Sequence, residues 1–141
     1  HLKLSSGLIV SCSTAQALMG FPNHSGYAAS KHALHGFLES LDIEMRGKIN
    51  FLEVIMGWIR DTELRSNAFG NNGHKLGTSK LKHSSQSINL EECIDGIIAG
   101  IEANKKAIYI PRKLRWVPFL NVFFKGFLRR KVNKAVDDQS D

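Results

Sequence analysis

Cysteine is scarce in this chain of 141 residues: Cys12 and Cys93 are the only two, and they stand far apart. Two such thiols make no disulfide framework and suit a reducing, intracellular setting, cytoplasmic or peripheral on a membrane surface. Both lie in apolar runs, so both are expected to be buried free thiols. Charged residues make up 23% against 43% hydrophobic, which excludes a disordered chain over most of the length. Acidic residues are missing altogether from 112–136, where eight Lys and Arg fall. Residues 1–111 hold 11 Lys and Arg against 10 acids, and Asp137, Asp138 and Asp141 close the chain. The net charge of +6 therefore belongs to the tail. A tail of this kind points to an acidic surface as partner and away from sequence-specific nucleic-acid binding. The chain opens His1-Leu-Lys-Leu-Ser-Ser, with neither an initiator Met nor a charged leader before an apolar core. We expect a piece of a longer protein and no secretory signal.

What is present reads as alternating strands and helices. Gly7 to Cys12 is a short apolar run opened by glycine, suited to a buried parallel strand, and residues 13–24 read as a loop. From Ser25 to about Arg46 the apolar positions Leu34, Phe37, Leu38, Leu41 and Met45 recur at helical spacing, with Gly47 as a stop. Asn50–Met56 is a second strand. Asn89-Leu-Glu-Glu92 is a capping box opening a helix whose buried side would carry Cys93, Ile94, Ile97, Ile98 and Ile101. Ala107–Ile110 is a third strand, and 113–136 is helical, interrupted at Pro118. This order implies βαβ crossovers and a parallel sheet. Three strands leave two edges, one of which would need a partner.

Tyr27-Ala-Ala-Ser-Lys31 carries the sharpest chemistry. Positions i and i+4 of a helix share a face. A lysine ammonium there can stabilise a neighbouring phenolate, so the tyrosine can serve as general acid or base. Alone the spacing fits an ordinary surface pair, but its surroundings are specific. Gly-Leu-Ile-Val-Ser-Cys-Ser-Thr precedes it, Tyr-Ala-Ala-Ser-Lys-His-Ala-Leu contains it, and Gly57-Trp58-Ile59-Arg-Asp-Thr62 follows the next strand. In this order the motifs resemble the classical short-chain dehydrogenase/reductase family over residues 7–110.

The resemblance implies an α/β fold, the C-terminal half of a Rossmann-like, doubly wound parallel sheet. Residues 1–111 would form the catalytic half, with a lid at about 63–87, and 112–141 a basic, aromatic tail. It implies hydride transfer between NAD or NADP and a small or lipid-like alcohol or ketone. Tyr27 would be general acid/base, and Lys31 would assist it and hold the nicotinamide ribose. The family's serine position, 13 before the tyrosine, is Thr14, with Ser13 beside it as the alternative hydroxyl. Tyr27, Lys31, Gly57, Trp58, Ile59 and Thr62 would meet the cofactor, although Met56-Gly57 departs from the family's usual Pro-Gly. The long helix of Tyr27 commonly pairs with its copy in family oligomers, so a homo-oligomer is expected at full length.

The family's glycine-rich phosphate turn does not occur here, so the chain alone is expected to be inactive. The competing reading is a non-catalytic binding or membrane-associated module. His24, His32 and His35 lack an acid or thiol to complete a metal site. Trp116, Phe119, Phe123, Phe124 and Phe127 in the tail suggest peripheral membrane contact through 112–136. The apolar stretch at its centre is short and contains Lys125, so it should not span a bilayer.

Overall fold

The computed structural model describes residues 1–60, 62, 69, 73–75 and 87–137. Strand β1 spans Leu8–Thr14, helix α1 Ser25–Met45, β2 Asn50–Met56, α2 Leu90–Glu102, β3 Ala107–Ile110, α3 Val117–Phe123 and α4 Lys125–Asp137. Short 3₁₀ turns cover Ala15–Ala17 and Arg112–Trp116. The sheet has the order β1-β2-β3 with both pairs parallel. Parallel neighbours need long crossovers, and α1 and α2 are contained in them.

Alternation along β2 sorts the helices onto two faces. Leu52 and Val54 point one way into a core with Cys93 of α2 and Ile110, flanked by Leu8, Val10, Ile97 and Ile108. Glu53 points the other way and meets His35 of α1, whose Nδ1 lies 2.9 Å from both carboxylate oxygens. A helix on each face is the doubly wound arrangement of an α/β half-sheet. Among the described residues β1 pairs with β2 alone, and β3 closes the other side.

Four local expectations are corrected. First, β1 does not stop at Cys12: Ser13 pairs with Ile55 and Thr14 with Met56. The ladder of β2 carries both hydroxyl residues into the strand. Second, Cys93 is buried but Cys12 is exposed. Cys12 shares the face of Val10, and α2 packs over β2 and β3, leaving the edge strand uncovered there. Third, α2 does not bury its isoleucine stripe, since Ile94, Ile98 and Ile101 are exposed. It meets the sheet instead through Cys93, Gly96, Ile97 and Gly100, a helical i, i+3, i+4, i+7 row. An added Cβ would lie 2.8 Å from Ile110 Cδ1 at Gly96 and 3.1 Å from Ile108 at Gly100. Fourth, Pro118 does not interrupt the tail. It lies in the first turn of α3, where its missing N–H would have no intrahelical partner. The break falls at Phe124, whose backbone (φ −131°, ψ 41°) leaves the helix.

Helix ends follow local chemistry. Asn89 Oδ1 accepts the Glu92 N–H at 2.7 Å and caps α2. Helix α1 ends at Met45, with Arg46 and Gly47 both left-handed (φ 49° and 78°). The tail folds back onto the loop after β1. Val117 and Val132 pack with Met19, flanked by Leu18, Phe21, Leu114 and Leu128, and Asn121 Nδ2 donates to Leu18 O at 3.0 Å.

Candidate active site

The three strands end together: Thr14 lies beside Met56, and Met56 beside Ile110. In open α/β sheets, ligands bind outside such carboxyl ends. The residues singled out in the sequence cluster around this edge. Ser13 and Thr14 are the last two residues of β1, and Gly57 and Trp58 follow β2 directly. Tyr27 sits in the first turn of α1, about 45% exposed. Lys31 lies one turn on, its Nζ 5.7 Å from the Tyr27 ring centroid.

A file of rings ties the two loops of this edge together. Trp58 meets Phe21 edge-on at 5.9 Å between centroids, Phe21 meets His24 at 5.6 Å, and His24 meets Tyr27 at 6.5 Å. Offset and edge-to-face pairs of this kind are favourable. Phe21 was not singled out in the sequence, and His24 was weighed only as a metal ligand; only their place in the loop between β1 and α1 could have flagged them for this role. His24 is held by a 2.8 Å contact from Nδ1 to Pro22 O, and His32 Nδ1 contacts Ala28 O at 2.8 Å. With His35 on Glu53, each of these histidines has a local partner. Among the described residues no three His, Cys, Asp or Glu come together as metal ligands.

The two candidate hydroxyls differ in surroundings. Ser13 is 3% exposed, and its Oγ has no partner among the described residues. Thr14 is half-buried, and its Oγ1 accepts the Gln16 N–H at 3.5 Å as the cap of Ala15–Ala17. A hydroxyl that accepts there still has its own proton to donate.

Beyond β2, the space a side chain on Gly57 would enter is taken. An added Cβ would lie 3.2 Å from Pro111 Cδ and 3.7 Å from Leu114 Cδ1. Gly57 N–H donates to Ile110 O at 2.8 Å, extending the β2–β3 ladder by one bond. Met56, in the place of the usual proline, has its sulfur 3.3 Å from Cys93 Sγ, an anchor in the core. Ile59 packs into that same core. It bridges Ile88, with Arg60 N–H donating to Ile88 O at 2.9 Å and Ile88 N–H to Trp58 O at 3.0 Å. These bonds join the two roots of the expected lid, most of which lies outside the described residues. Thr62 is exposed. Burial, reinforced by Cys12 and then Glu92, pushes the Cys93 thiol up from its ordinary range.

The parallel sheet with helices on both faces is that of a Rossmann-like α/β fragment. Residues 1–73 match the family model described as short chain dehydrogenase, and the chain belongs to the short-chain dehydrogenase family. "11-beta-hydroxysteroid dehydrogenase-like 4A" of Arabidopsis thaliana is 30% identical over 134 residues, 93% of this chain and 42% of that protein. "Dehydrogenase/reductase SDR family member 7B" of Rattus norvegicus is 31% identical over 104 residues, 74% of this chain and 32% of that protein. "Dehydrogenase/reductase SDR family protein 7-like" of Drosophila melanogaster is 39% identical over 77 residues, 54% of this chain and 23% of that protein. The chain thus spans less than half the length of these relatives. Its class is that of an oxidoreductase family.

Proposed function

We propose that the protein carrying this chain moves a hydride between NAD or NADP and the carbonyl or alcohol carbon of a small or lipid-like substrate. The observation that carries this reading is Tyr27 in the first turn of α1, beside the carboxyl ends of the strands, with Lys31 Nζ 5.7 Å from its ring. The names of the plant relatives, which mention hydroxysteroids, support the lipid-like choice.

The residues here suit the nicotinamide end of such a cofactor. They offer two hydroxyls, an ammonium and backbone close to Gly57. Trp58, Ile59 and Thr62 follow, of which Ile59 acts through the core. The sequence of the chain carries no glycine-rich turn of the family's pattern to hold the diphosphate. The dinucleotide, when bound, supplies or accepts the hydride. Tyr27 gives its phenolic proton to the carbonyl oxygen during reduction and takes one back from the alcohol during oxidation. Lys31 stabilises charge developing on the phenolic oxygen and donates to the ribose hydroxyls. Thr14 donates its remaining hydroxyl proton to the substrate oxygen, with Ser13 beneath it at the end of the strand. Full-length protein is proposed to be a homo-oligomer through α1, where Phe37 is 61% and Ile43 73% exposed.

The test is Tyr27→Phe in the full-length protein. Turnover should fall by about 10²–10⁴-fold, the usual worth of a positioned acid or base, while dinucleotide binding persists. Near-wild-type turnover would refute the assignment. Thr14→Ala should lower turnover more than Ser13→Ala; the reverse order moves the role to Ser13.

A further inference from the structure

The tail has two sides, and among the described residues only one packs against the rest of the fold. Its inner side, through Leu114, Val117, Leu128 and Val132, packs on Leu18, Met19 and Phe21. On its outer side Trp116, Phe119, Phe123, Phe124 and Phe127 are all exposed. Phe119 is the hub: its ring centroid lies 6.3 Å from Trp116, 4.8 Å from Phe123 and 6.0 Å from Phe124. Cations stand over the flanking rings. Arg115 is 5.3 Å from the Trp116 ring and Lys131 5.8 Å from the Phe127 ring. Four clustered exposed aromatics, with an exposed Phe127 beyond them, exceed what a soluble surface ordinarily leaves uncovered.

We propose that this outer face docks on the surface of an anionic lipid bilayer. The charge pattern selects the occupant. Residues 112–136 hold eight Lys and Arg and no acid, so the partner must be negative and must also accept bare rings. An anionic leaflet offers both, as phosphate and carboxylate headgroups above an apolar boundary. Among the described residues no helix is long and apolar enough to cross a membrane, so α3 and α4 lie along the surface. Phe21, which the tail covers, also touches Trp58 and His24.

The test is flotation of the intact 141-residue chain with phosphatidylcholine vesicles, with and without phosphatidylserine. Neither arm needs a dinucleotide or turnover. Binding is expected to require phosphatidylserine and to fall as salt rises. Phe123→Ser/Phe124→Ser/Phe127→Ser should nearly abolish it. Arg129→Ala/Arg130→Ala/Lys131→Ala should weaken it about a hundredfold, about fivefold per charge. Circular dichroism matching the parent shows that each variant is folded. Absence of vesicle binding by the parent, or binding that neither variant changes, overturns the proposal. So does a parent dimer in sedimentation that the phenylalanine variant turns into monomer, since a second copy then covers the face.

Discussion

Replacing Gly100 with alanine sets two opposing effects against each other at the contact between α2 and the sheet. In a helix interior alanine is better than glycine by about 0.8–1.0 kcal/mol. The added methyl, however, would stand 3.1 Å from both Cδ1 and Cγ2 of Ile108 and 3.4 Å from Leu52 Cδ2. Cγ2 branches directly from Cβ, and a β-branched side chain is stiff at χ1. It cannot swing away, so α2 must lift from β3. Overpacking of this kind costs about 1–3 kcal/mol. The expected net effect is a loss of about 1 kcal/mol, the difference between those two ranges. Urea unfolding followed by circular dichroism reads it as a lower midpoint at constant slope. Ile108→Val removes Cδ1 and one of the two close contacts, so Gly100→Ala should cost less in that background. Gly96→Ala is the contrast. Its only contact under 3.4 Å is Ile110 Cδ1, at 2.8 Å, the far end of a side chain that can turn aside, so its penalty should be smaller. A higher midpoint for Gly100→Ala would refute the reasoning, because the glycine would then not set the approach of helix to sheet.

Two further outcomes follow from the same structure. Cys93 holds its proton more tightly in the folded state, because burial, with Cys12 and then Glu92 adding, disfavours its thiolate. Its contribution to stability is complete below the ordinary thiol value of the unfolded chain. It is lost as pH rises from there through the higher folded value. Unfolding midpoints should therefore decline in that alkaline range, and Cys93→Ala should flatten the decline; an equally steep profile assigns it to another group. The 141-residue chain titrated with NADH or NADPH should show no saturable change in tryptophan fluorescence, since it has no glycine-rich phosphate turn. Saturable binding by the chain would mean that other residues cradle the diphosphate.

Much of this protein is written locally and could be read before any coordinates. Parallel strands buried on both faces are short apolar runs, and those at Asn50–Met56 and Ala107–Ile110 were legible to the residue. The Asn89 cap is legible for the same reason, since its bond to Glu92 N–H closes within three residues. Tyr27 and Lys31 share a face because four residues make about one helical turn. Motif order then carried the family, because the order of motifs along a chain survives without any contact being known.

The remainder depended on which distant segments meet. Periodicity marked the isoleucines of α2 as its buried stripe, but the sheet accepts the glycine side, because β3 presents bulky Ile108 and Ile110 there. Cys12 looked buried from its neighbours in sequence, and its exposure follows from α2 lying over β2 and β3. Ser13 and Thr14 looked like loop residues until pairing with Ile55 and Met56 placed them in the strand. Phe21 and His24 have no periodic signal at all, yet they span the gap between Tyr27 and Trp58. Sequence alone determined the second and third strands, the Tyr27–Lys31 spacing and the family, because these rest on bonds, turns and motif order along the chain. Tertiary structure alone decided what surrounds Tyr27 and which face of the tail is left bare, because burial belongs to a pair of surfaces and neither knows its partner from its own residues.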